Sequence, residues 1–289
     1  MKVLSIDVDY CFPAIEKWPN ENGELWDEWH AFTKWENYFK TYPDLNCREE
    51  IVDEKCFDYM VETFTKALYA NPNATVAFGL DHDYILEELL DKEDLEIVNI
   101  DHHDDFLAGA YLDQLTNHDK SGKNDDDDDD EDTWLQFLSC HLIEYHYAKT
   151  YGKVDEGSWG GYLHALGKLK AMTWIHNNDK DEYDTRSIVN RFICNNVGKY
   201  ADWGFATAEE YDHGNYEYDH IFVCLSPQYF PHSQWDIFSV FLGIYEDFTG
   251  KDCKLDEFWY KRTINTMAYR NVYDTLKPAL EDIKRSLAK

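Results

Sequence analysis

Five short apolar runs recur along this chain with helix-length segments between them: Val3–Asp9, Thr75–Phe78, Leu95–Ile100, Ala171–Ile175 and Ile221–Leu225. They are too short for ordinary helices and suit strands, while the intervening segments carry helical periodicity. Within Glu49–Ala70, for example, Ile51, Val52, Phe57, Met60, Val61, Phe64 and Leu68 recur at helical spacing. Leu25–Tyr42, Tyr84–Leu90, Thr133–Thr150, Trp159–Leu169, His232–Phe248 and Asp256–Leu287 also read as helices. Buried strands alternating with helices predict an α/β fold, three layers deep, with a mainly parallel sheet covered on both faces. No internal repeat, glycine-rich phosphate loop or convincing linker divides the 289 residues, so a single domain over 1–289 is expected.

Each chemically suggestive segment sits where such a strand ends. In an open parallel sheet, ligands bind beyond the carboxyl ends of the strands. The first strand ends "SIDVDY", with Asp7 and Asp9; the next ends "AFGLDHDY", with Asp81, His82 and Asp83; the third ends "NIDHHDDF". Side chains alternate along a strand, so Asp101, His103 and Asp105 are expected on one side as the chain leaves the sheet, and Asp7 and Asp9 likewise. His102 and Asp104 would point away and support the ligands or cap a helix. Carboxylates with one or two imidazoles suit manganese(II), iron(II) or zinc better than calcium or magnesium. Four carboxylates and two histidines balance the charge of two divalent ions; without cations they would repel one another. Taken singly, each motif has an ordinary reading: a DxD after a strand often caps a helix, and a DH pair is common. Their conjunction at three strand ends is the informative feature.

Composition narrows the partners. Lys and Arg number 27 against 58 Asp and Glu, a net charge of −31. Such a chain repels nucleic acid and anionic membranes, and it would attract a cationic ligand such as an Arg- or Lys-bearing substrate. Much of the charge also serves solubility. Residues 124–132 hold eight acids in nine and read as a solvated surface loop. The seven cysteines are dispersed without a CxxC pair, which suggests reduced thiols in a cytoplasmic setting. No apolar run is long enough to span a bilayer, and "MKVLSIDVDY" reads as a strand with carboxylates instead of a signal peptide.

Together "GLDHD", "NIDHHDD" and "SIDVDYCF" resemble the three metal-binding motifs of the ureohydrolase superfamily, the arginases and agmatinases. Ordinary arginases place the DxD motif last; here it comes first, an order that the same sheet would accommodate if the chain were circularly permuted. "EGSWGGYLHALGKLKAMTWIH" and "YDHIFVCLSPQYFP" extend the likeness toward the peptide arginases, which convert arginine side chains to ornithine in ribosomally made peptides. The resemblance covers residues 1–10, 79–106 and 157–230. It implies two Mn2+ ions: one among His82, Asp101, Asp105 and Asp7, the other among His103 and Asp9 with Asp101 and Asp7 bridging. It implies hydrolysis of a guanidinium with release of urea, and an arginine-containing precursor peptide as partner.

Two family positions differ. The loop histidine of arginases corresponds to Trp159 or Gly160, with His164 one turn on as a substitute or simply a helix-face residue. The guanidinium-binding Glu corresponds to Cys224, and a thiol cannot pair with a guanidinium as a carboxylate does. Asp83, Asp202, Glu209 or Glu210 would have to supply that charge, so Asp83 and His164 stand as candidate catalytic residues, and Trp159, Cys224 and Glu210 as candidate substrate contacts. Two other functions remain open: a deacetylase- or amidinohydrolase-like enzyme acting on another small amide or amine, and a non-catalytic acidic metal-binding protein.

Overall fold

Strand β1 (Lys2–Asp7) is buried from its second residue onward, and it sits inside the sheet with a neighbour on each side. The computed structural model describes residues 1–12, 52–106, 157–177, 200–227 and 236–251. The other strands are β2 (Thr75–Gly79), β3 (Leu95–Ile100), β4 (Leu169–His176), β5 (Asp202–Thr207) and β6 (His220–Cys224). They form one six-stranded sheet in the order β2-β6-β1-β3-β4-β5, and every pairing is parallel. The mainly parallel α/β fold expected from the alternating pattern is present.

Strand alternation feeds two cores. On one face, Leu4, Ile6, Ile100 and Val223 meet Met60, Phe64 and Leu68 of α1 (Glu54–Ala70), together with Phe238 and Phe241 of α4 (Phe238–Thr249). Phe64 and Phe241 pack edge-on at 5.4 Å. On the other face, Val3, Ile97 and Phe222 meet Ile85, Leu86 and Leu89 of α2 (Ile85–Leu89) and Trp159 and Leu163 of α3 (Trp159–Ala165). Each such large side chain contributes about 1.5–3 kcal/mol through burial. Helix α1 starts where Asp53 accepts the amides of Lys55 and Cys56 at 2.9 and 3.1 Å, a cap worth about 1 kcal/mol. Among the described residues, no helix is long and apolar enough to cross a membrane.

Several boundaries differ from the sequence reading. β1 stops at Asp7, because Asp7 caps a 3-10 turn over Val8–Cys11 by accepting the Asp9 amide. α3 ends at Ala165, not Leu169: Gly167 at φ 68° turns the chain, and Leu169 already opens β4. β5 was not expected, since its burial is irregular and Gly204 interrupts it. That glycine lets β5 lie close to β4, where a Cβ would stand 2.7 Å from Thr173 Oγ1. The expected helices over 25–42, 133–150 and 256–287 and the acidic loop over 124–132 lie outside the described residues.

The topology places a crevice. From β1 the next strand, β2, lies toward one edge; from β3 the next, β4, lies toward the other, yet β1 and β3 are neighbours. Such a reversal opens a binding crevice at the carboxyl ends of the two strands.

Candidate metal centre

His82 follows β2 in a short 3-10 turn, and its ring is sandwiched in place. It stacks on Phe222 at 6.0 Å and 12° and leans on Trp159 at 4.9 Å. Gly79 makes room for this stack, since a Cβ there would fall 2.7 Å from the Phe222 ring. Nε2 lies 2.6 Å from Ser5 Oγ, which leaves Nδ1 facing the crevice.

Three carboxylate oxygens converge on that Nδ1: Asp105 Oδ2 at 2.8 Å, Asp101 Oδ2 at 3.0 Å and Asp7 Oδ2 at 3.1 Å. None is placed to accept a well-formed hydrogen bond from it, so the buried nitrogen lacks a partner. One ring nitrogen cannot serve three carboxylates, whereas a cation among them can. Neighbouring donors around an octahedral ion with bonds of about 2.1 Å stand about 3.0 Å apart, which matches these separations.

The oxygens are held from behind. Asn99 Nδ2 donates to Asp101 Oδ2 at 3.1 Å and more distantly to Asp105 Oδ2 at 3.4 Å. Trp159 Nε1 donates to Asp105 Oδ2 at 2.6 Å, and Ser226 Oγ to Asp7 Oδ2 at 2.5 Å. Gly160 donates its amide to the Asp105 carbonyl at 3.1 Å, and its missing Cβ would crowd that oxygen. Asp105 and Ser226 take left-handed backbones, φ 51° and 46°. Non-glycine residues in that region cost on the order of 1 kcal/mol, and such strain concentrates at functional sites.

A second group lies beside the first. His103 Nδ1 stands 3.0 Å from Asp9 Oδ2 and 3.8 Å from Asp101 Oδ1. His102 and His103 shape it through their amides, donated to Asp9 Oδ1 and Asp101 Oδ1 at 3.3 and 2.7 Å. Asp9 Oδ2 is buried without a hydrogen bond. Asp101 therefore divides its two oxygens, Oδ2 toward His82 and Oδ1 toward His103. Asp7 likewise turns Oδ2 toward His82, while its Oδ1 accepts the Asp9 amide at 3.0 Å. Asp9 reaches the cluster through the 3-10 turn and not by strand alternation.

Electrostatics shows a demand for positive charge. Burial, reinforced by repulsion from Asp7 and Asp101, pushes the Asp9 carboxyl up to about 8. Burial and Asp101 push Asp105 well above the usual carboxylate range. Burial also opposes the ionised form of Asp101, but the His82 ring 3.0 Å away outweighs it and holds Asp101 low. For His103, burial works against the charged ring; Asp9 and Asp101 overcome it and raise the pKa to about 9. His82 is raised against burial as well, by Cys224, Asp105 and Asp101. A cluster that must otherwise take up protons is suited to divalent cations. Three groups, Asp7–His82–Cys224, His82–Asp101–Asp105 and Asp9–Asp101–His103, bring potential ligand atoms within 4.8 Å of one another.

The six expected ligands thus come together, and the remaining candidates do not all join them. Cys224, the last residue of β6, pairs in register with Asp7 and belongs to the cluster. Trp159 is fully buried and supports Asp105 from behind. His164 is a helix-face histidine, packed against Phe106 at 5.9 Å and Trp203 at 5.6 Å and outside the donor groups. Asp83 is buried in the turn after β2, also outside those groups. Glu210 accepts the Thr207 amide at 3.0 Å in the turn beyond β5, and Glu209 is exposed there. Asp202 opens β5, at the end of the sheet opposite the crevice. Ser5, Asn99 and Ser226 were not anticipated. A signal existed for the first two, since each is a polar residue interrupting a buried strand. No protein-family model matches the chain, and no curated protein or solved structure matches it.

Proposed function

We propose that the protein is a binuclear metal hydrolase of the ureohydrolase type, converting arginine side chains to ornithine with release of urea, within a peptide. The observation that carries the reading is Asp101, whose two oxygens face two separate histidine-centred groups. His82, Asp7, Asp101 and Asp105 would hold one ion; His103, Asp9 and Asp101 the other. Manganese suits the carboxylate-rich donors, and it is the ion we assign to the outer, His103 position. Two divalent cations there would lower the pKa of bound solvent toward neutrality and stabilise developing negative charge.

The chain's own residues supply position. Asn99, Ser226 and Trp159 fix the carboxylates, and Ser5 sets the His82 ring orientation. His103, 30% exposed against 1% for His82, marks the side open to substrate. A net charge of −31 favours a cationic side chain over a free carboxylate, which supports peptidyl arginine over free arginine. Among the described residues, Cys11, Cys56 and Cys224 form no disulfide, which accords with a reduced, cytoplasmic setting.

One observation favours a second reading on the same centre. Where arginases carry a guanidinium-binding Glu this chain has buried Cys224, and Glu210 is engaged with its own turn. A deacetylase-like enzyme acting on a neutral amide needs no such Glu. Manganese-loaded protein should be incubated with an arginine-centred peptide, free arginine and an acetyl-lysine peptide. Urea, with loss of CH2N2 from the arginine peptide, is expected. Deacetylation would select the second reading, and no product from any substrate would leave a metal-binding protein without hydrolytic function. Equal turnover of free arginine would remove the peptide claim.

A further inference from the structure

The two groups differ in one donor that the resemblance does not account for. Cys224 is fully buried at the carboxyl end of β6, directly across from Asp7 in the parallel register. Paired positions on neighbouring strands face the same side, so the thiol enters the crevice beside the Asp7 carboxylate. Its sulfur, an oxygen of Asp7 and an imidazole nitrogen of His82 all lie within 4.8 Å of one another. A metal–sulfur bond of about 2.3 Å and a metal–oxygen bond of about 2.1 Å reach donors up to about 4.4 Å apart, a scale comparable to the 4.8 Å within which these three lie. The neighbouring His82 Nδ1 is buried, without a well-formed hydrogen bond and aimed into the same crevice, an independent mark of a cation position. The sulfur lies 3.5 Å from the Ser226 hydroxyl, a weak contact for a thiol. Among the described residues, the donors of the His103 group are Asp9, Asp101 and the imidazole, with no thiol.

We infer that Cys224 is a metal ligand of the His82 group, and that this thiolate makes the buried position selective for zinc, iron(II) or cobalt(II) over manganese, while the outer position stays oxygen- and nitrogen-ligated. The inference rests on the two-metal reading. Soft thiolate favours borderline and soft ions, whereas manganese(II) prefers oxygen donors. On binding, the S–H proton leaves to solvent and the sulfur lone pair forms the metal bond. The centre is therefore mixed: a thiolate-bound ion set deep by the strands, and a harder ion at the solvent side.

Cobalt(II) titration of the chelator-stripped full chain tests this without using activity. Thiolate ligation produces an intense sulfur-to-cobalt charge-transfer band; ligand-field bands report cobalt bound through any donors. The charge-transfer band should grow and saturate at the first equivalent. It should vanish in Cys224→Ser and persist in Cys11→Ser, while Cys224→Ser keeps its ligand-field bands. Cys224→Ser should also lose about tenfold or more of the protein's preference for zinc over manganese in competition dialysis. Ligand-field bands without the charge-transfer band in the unaltered protein would overturn thiolate ligation and leave the metal centre standing. A charge-transfer band that survives in Cys224→Ser would assign another cysteine and overturn the inference. Failure to bind cobalt at all would overturn both readings. Because the unaltered chain already gives a decisive result, an unstable variant does not blunt the test.

Discussion

The His82 group and the His103 group share Asp101, yet they are built differently. The first is assembled from the ends of strands: Asp7 closes β1, Cys224 closes β6, and His82 follows β2, with its ring wedged against Phe222 and Trp159. The second is less enclosed: Asp9 sits in the 3-10 turn after β1 and His103 in the loop after β3, with about a third of the His103 side chain exposed against 1% for His82. On the proposed reading the contrast separates two jobs: buried sheet ends would hold an ion against strong mutual repulsion, while the more open group would admit substrate and exchange its ion. The deeper ion should accordingly be the tighter and the outer one the easier to strip.

Removing the shared residue breaks the comparison altogether. Asp101→Ala should lose both ions and lower hydrolysis on the order of a thousandfold or more, because both groups lose a donor at once. Metal content and urea release read together check it; a variant that keeps one tight ion would show that Asp101 belongs to a single group.

Removing one histidine at a time sharpens the comparison. His82→Ala should lose the deep ion and destabilise the fold by about 3 kcal/mol, since it empties a space between two aromatic rings. His103→Ala should lose the outer ion and cost under about 1 kcal/mol, as expected for a part-exposed residue on a turn. Denaturant melts of the metal-free proteins, with metal counts on loaded samples, test the asymmetry.

The metal-free protein should respond to pH in a direction set by Asp9 and His103. Their folded-state values, about 8 and about 9, lie above the ordinary 3.8 and 6.5. Over that span the folded state holds more protons than the unfolded chain, so metal-free stability should fall as pH rises from about 4 to about 9. Cation binding needs the deprotonated ligands, so the stabilisation given by metal should grow over the same window. Melting curves with and without added metal should diverge toward alkaline pH; parallel curves would mean that these groups do not face the cation.

The smallest effect belongs to Asp104, between the two groups in sequence and outside both. Its carboxylate accepts the Phe106 amide at 3.3 Å and belongs to none of the donor groups. Asp104→Ala should keep metal and activity and shift stability by less than about 1 kcal/mol.

These contrasts were partly legible beforehand. β3 runs over the predicted Leu95–Ile100 because an apolar run, bounded by acids on both sides, has few other ways to be buried. The six ligand candidates stood out because no ordinary core tolerates such a density of acid and imidazole at strand ends. What escaped was what needs a third dimension. Asp9 was assigned to a strand because alternation reads the same through a tight turn, and only the Asp7 cap distinguishes them. Ser226 lies far along the chain from Asp7, and their contact exists only because β6 and β1 are neighbours. Cys224 read as a loss of the guanidinium partner; its closeness to His82 and Asp7 appears only with the register in hand. His164, one helical turn past Trp159, faces Trp203 and Phe106 instead of the crevice, because α3 turns that side toward the core.

The account rests most heavily on there being two cation positions that share one carboxylate. Counting metal in the unaltered protein, stripped with chelator, equilibrated with excess manganese or zinc and dialysed gently, addresses that most directly. Two divalent ions per chain are expected, with one removed at lower chelator concentration than the other, and Asp101→Asn should bring the count toward zero. A count of one that Asp101→Asn leaves unchanged, or no bound metal at all, would contradict it.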